Sequence, residues 1–134
     1  MSVIVRNDFG AVAVNKGVIE RMIIEDMLGM YEALLLCNKK GKLIKEKPTP
    51  LIDPDYYDAV DVSEKKGAVT VKVYVIVDAG HRIADVADEV FGRIEQDFEM
   101  LRLDRPETIK FKVRGLMKDD EIEKRSIDVV RNNG

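Results

Sequence analysis

One cysteine, one histidine and no tryptophan stand in a chain of 134 residues, and these shortages remove most kinds of catalytic centre before any motif is sought. A lone thiol, Cys37, can form no intramolecular disulfide, which suits a reducing cytoplasm. Cys37 and His81 together cannot build a zinc shell from soft ligands. Neither Gly-x-Gly-x-x-Gly nor Gly-x-x-x-x-Gly-Lys-Ser/Thr occurs, so the sequence offers no phosphate-cradling loop. Nowhere do 18 apolar residues run together, so no helical membrane span is expected. Met1 to Asp8 lacks a basic region followed by an apolar run, so no secretory leader is expected either.

What is present suits a packed domain. Apolar residues make up 46% of the chain, too many for wholesale disorder. A chain of this size hides roughly two-thirds of the surface its unfolded form exposes, so it needs no metal or disulfide to fold. Charged residues reach 35%, yet the net charge is −3, which weighs against a dedicated DNA-binding module. A local basic patch remains open.

Along the chain, Gly10 to Val14 reads as a short strand and Asn15 as a helix cap. Val18, Ile19, Met22, Ile23, Met27 and Leu28 form one helical stripe that ends at Gly29. The apolar run within Tyr31 to Asn38 is read as a strand, and residues 38–55, with three prolines, as an exposed loop. Tyr57 to Val62 is a strand, Ser63 to Gly67 a turn, and Ala68 to Val77 a strand whose odd-numbered valines share one face. Ile83, Val86, Ala87, Val90, Ile94, Phe98 and Leu101 mark a long helix, with Glu95 and Asp97 on its polar face. Pro106 bars its continuation, and a final strand turns Ile109, Phe111 and Val113 inward.

The fold class predicted is α+β and two-layered: a mostly antiparallel or mixed sheet of four to five strands, two helices on one face, and a C-terminal tail. Residues 1–117 form the single domain, and 118–134 are expected to be a charged, marginally ordered tail with at most a short helix.

Candidate chemistry is sparse. Cys37 lies in an apolar run, where a buried inert thiol is expected. His81 could serve as a general base, but nothing near it in sequence supplies a nucleophile. Asp53-Pro54-Asp55 lacks the spacing of a calcium loop, and Asp119-Asp120-Glu121 reads as a solvated acidic cluster. Asp85, Asp88 and Glu89 share a helix face but alternate with Arg82 and Arg93 at ion-pair spacing. No catalytic, cofactor-binding or metal-binding residue is therefore named. The one surface singled out is Lys110, Lys112 and Arg114, joined by Lys72 if its strand lies alongside with the same face outward. That stripe could bind an anionic partner such as RNA or lipid headgroups. It has only Tyr74 to stack on bases, so the balance weighs against nucleic acid and toward a solvated sheet face.

Two blocks carry a resemblance. The first is Gly10-x-Val12-x-Val14-x-x-x-Val18-Ile19, followed by a helix and Gly29. The second is Gly67 and the valines 69 to 77, then Gly80-x-x-Ile83, Val86-Ala87-x-x-Val90 and Ile109-x-Phe111-x-Val113. Together they cover roughly residues 8–117 and resemble the alkaline shock proteins, small stress-associated proteins mostly of Gram-positive bacteria. Glu99-Met100-Leu101 stands where that family commonly has Thr-Gly-Leu, as in a divergent member. The resemblance implies a cytoplasmic protein of envelope homeostasis, in some members held at the membrane by a partner and in others tied to fatty-acid synthesis. It implies no catalytic residue, no cofactor and no small-molecule substrate; it points to self-association or a protein partner, without direct membrane insertion.

Overall fold

The structure, a computed structural model, describes residues 2–7, 9–44 and 54–133. Strand β1, Ser2–Asn7, pairs antiparallel with β2, Gly10–Asn15, as a separate hairpin whose Val3 and Val5 enter the core. Asn15 then accepts a hydrogen bond from the Gly17 amide at 2.8 Å and opens helix α1, Lys16–Leu28. Gly29 closes α1 in the right-handed region (φ −70°), so the helix ends where the glycine stands but not by a left-handed glycine cap. The buried stripe of α1 is Ile19, Ile23, Ile24 and Met27; Val18, expected inside, is 47% exposed.

After β3, Leu34–Leu36, the chain folds back through Asn38–Lys42, where the Asn38 side chain accepts from the amides of Lys40 and Lys42. Residues 45–53 of the expected loop lie outside the described residues. Pro54–Ala59 is a 3-10 helix rather than the start of a strand, and β4 is Val60–Lys65. Only Lys66 and Gly67, both at positive φ (54° and 83°), separate it from β5, Ala68–Asp78. That two-residue mirror-image turn matches strand twist, which is why the hairpin is tighter than the predicted five-residue turn.

From β5 the chain crosses through α2, Ile83–Met100, to β6, Thr108–Lys118, which runs parallel to β5. Here the structure departs most from expectation. The supposed tail is strand β7, Glu121–Asn132, antiparallel to β6. Asp119 and Asp120, both at positive φ (52° and 65°), make a second two-residue turn of the same kind. The acidic cluster is thus a hairpin turn, since Asp tolerates the left-handed region better than most residues.

The five-stranded mixed sheet runs β3-β5-β6-β7, with β4 sharing with β3 one edge of β5: β4 pairs with Ala68 to Val73, β3 with Val75 to Val77. Both helices cover one face. There Val69, Val71, Val73, Val75 and Val77 meet Ile109, Phe111 and Val113 beneath Val90, Ile94 and Phe98. The two-layer α+β reading therefore holds, and it leaves the opposite face of the sheet without a helix among the described residues.

Candidate functional site

The uncovered face gathers the basic residues. Lys72 and Lys110 are register partners across β5 and β6, so the condition set for Lys72 is met. Neither makes an ion pair among the described residues. Lys112 and Arg114 are occupied otherwise, because β7 brings Asp128 opposite them. Lys112 Nζ donates to Asp128 Oδ2 and Arg114 Nη1 to Asp128 Oδ1, each at 3.1 Å. Slight burial would raise the Asp128 carboxyl, but these two hydrogen bonds and the paired cations outweigh it and hold the group below its ordinary value. Arg114 also lies over the Tyr74 ring, 5.8 Å from its centroid. Two of the stripe's four cations are thus paired within the chain, both by one carboxylate.

Beside it the same face is apolar. Cys37, Tyr74 and Ile76 are buried together against Leu43 and Met117. Burial pushes the Cys37 thiol up to about 12, against the opposing charge of Arg114, which disfavours the thiolate that nucleophilic attack or metal ligation needs at neutral pH. His81 is exposed, its Nδ1 3.5 Å from Asp78 Oδ1. Glu89 faces Arg93 at 3.7 Å, the surface pairing anticipated, and Asp88 faces Arg131 at 3.9 Å, a partner supplied by β7. Among the described residues no group of three His, Cys, Asp or Glu side chains could hold a metal. No helix among them is long and apolar enough to cross a membrane.

Two carboxylate sites escaped the sequence reading. Glu95, expected on the polar face of α2, is buried; it accepts from Arg131 Nη1 at 2.7 Å and from Asn133 Nδ2 at 2.8 Å. This clamp ties β7 to the helix layer, and Arg131 rests 5.1 Å from the Phe91 ring. The second site is Asp26 of α1 facing Asp97 of α2. With both ionised, Asp26 Oδ2 and Asp97 Oδ2 are buried and have no donor. A proton kept on Asp97 supplies one. Burial, the hydrogen bond to Asp26 and the charge of Asp26 raise Asp97 to about 8, against the pull of Arg93. Their only sequence signal was position: each stands beside a core residue, Met27 and Phe98.

Two grooves are lined by other residues. One of about 480 Å³ is apolar, with Met27, Leu34, Leu36, Leu43 and Tyr56 in its wall. The other, about 530 Å³, is polar and holds Lys66, Asp104, Arg105 and Glu107. Asp26 and Asp97 line neither. Comparison with known proteins finds no matching family model, no similar curated protein and no similar solved structure.

Proposed function

We propose that this chain is a non-catalytic protein of the alkaline-shock type, acting through self-association or a protein partner. The observation that carries the reading is the last strand. β7 is twelve residues long and lies at the end of the sheet, with no strand on its far side among the described residues. A bare edge of that length is a template for another strand, and soluble proteins ordinarily shorten, bend or cover such edges. Ile122 and Val130, 40% and 49% exposed, add apolar surface along it. The buried thiol and the internally paired cations leave little reactive chemistry on the helix-free face, which also favours an interaction role. The resemblance to alkaline shock proteins supports a cytoplasmic setting in envelope homeostasis, with the membrane reached through a partner and a link to fatty-acid synthesis.

Light scattering on the eluting full-length chain tests this reading. A mass above that of one chain, falling on dilution, is expected; one chain's mass at every concentration would count against self-association.

A second reading, an RNA-binding or anion-binding face, is favoured by one observation: Lys72 and Lys110 stand side by side without ion-pair partners among the described residues. Polyanion binding that steepens at low salt and vanishes in a Lys72→Glu, Lys110→Glu variant would support it. Asp128 already takes up Lys112 and Arg114, so the self-association reading is preferred.

A further inference from the structure

Resting on that reading, we propose that the partner is a second copy of the chain, joined antiparallel through β7 with Ser126 at the two-fold axis, so that two five-stranded sheets become one.

The strand's own order of residues carries the inference. In an antiparallel pair centred on Ser126, Glu121 stands opposite Arg131, Ile122 opposite Val130 and Lys124 opposite Asp128. Each match occurs twice by symmetry, giving four opposite-charge pairs and two apolar pairs. No like charges meet. The two apolar matches use the strand's most exposed large hydrophobic residues, Ile122 and Val130.

Faces agree as well. The register of β6 shifts between Val113 and Gly115, which puts Gly115 and Met117 on the helix-free face with Lys110 and Lys112. Ile122, Lys124, Asp128 and Val130 register with Met117, Gly115, Lys112 and Lys110, so even-numbered side chains of β7 lie on that face. A two-fold axis perpendicular to the sheet keeps that face together in both copies, and pairing about Ser126 sets even positions against even ones. On the helix side, Ile127 of each copy becomes a diagonal neighbour of the other across the axis.

Neighbouring registers are worse. Centring on Lys124, Arg125 or Asp128 sets that charge against its own copy, and like charges directly opposite destabilise a strand pair. Centring on Ile127 keeps one opposite-charge match, Glu123 with Arg131. Glu121 and Lys124 make no ion pair within the chain among the described residues, so both are available to answer the partner copy's charges.

The test is a Ser126→Cys variant of the full chain treated with a short thiol-to-thiol crosslinker, with Met100→Cys as the exposed control. Cys37 is buried and stays out of the reaction. Rapid linking of the Ser126→Cys variant into a two-chain species, and little linking of the Met100→Cys control, is expected. In the otherwise unaltered chain, Lys124→Glu should weaken dimerisation about tenfold by sedimentation, because both Lys124–Asp128 matches become like-charge contacts. This second variant decides the matter if Ser126→Cys fails to fold. A dimer that neither links through the thiol introduced at position 126 nor responds to Lys124→Glu overturns the β7 register while self-association stands. A chain that sediments as a monomer throughout overturns both.

Discussion

Asp97 carries the carboxyl raised to about 8 among the described residues. In the unfolded chain its carboxyl ionises near the ordinary value of about 4. In the folded chain it keeps a proton up to about pH 8, donated to Asp26. Between those values the folded state binds more protons than the unfolded, so stability falls as pH rises across the interval and levels off above it. Asp97→Asn retains a donor toward Asp26 and cannot ionise. Thermal unfolding from pH 5 to pH 9 should therefore show the unaltered chain losing melting temperature relative to the variant; parallel curves would contradict the assignment. Cys37 gives a companion expectation: it should resist a thiol reagent in the folded protein at neutral pH and react once denaturant is added. Its burial was legible, because Ala33 to Cys37 form an apolar run. The Asp26–Asp97 pair was not, since it forms only when two helices far apart in sequence pack together.

At the scale of elements, β7 depends on a turn and a clamp. Asp119 and Asp120 occupy the left-handed region at the cost of some strain, which glycine at the second position would relieve. Asp120→Gly should raise stability by about 0.5 kcal/mol, read from the urea midpoint. Arg131→Ala removes the principal donor to Glu95 and leaves a buried carboxylate underpaired, which should cost roughly 1–3 kcal/mol in the same assay. Glu95→Gln, which still offers Arg131 and Asn133 an acceptor, should cost less.

Both features explain why this strand was hidden in the sequence. Half of its twelve residues are charged and they fall on both faces, because one face is solvated and the other is only half covered by α2. The period-two alternation that exposed β5 is therefore drowned in β7. β5 was legible for the opposite reason: it is central, and five valines at alternate positions are buried beneath the helices. β1 went unseen because its alternation, Val3 and Val5, is only two residues deep.

For the whole molecule, the layer architecture followed from stripes and alternation, and the hairpin of β4 and β5 from Gly67. The parallel step from β5 to β6 follows from the intervening helix, since parallel neighbours need a long crossover. Strand order was beyond sequence pattern alone, and with it the fate of the basic face: Lys112 and Arg114 are paired because β7 supplies Asp128 from the far side of a hairpin. Among the described residues the edge of the finished sheet at β7 carries no further strand. The most direct measurement is amide hydrogen exchange of the unaltered chain at high and low protein concentration. If β7 is the working surface, its outward-facing amides between Glu121 and Asn132 are protected when the protein is concentrated and exchange faster on dilution, while β5 amides change little. Exchange in β7 that is fast at every concentration would contradict the account.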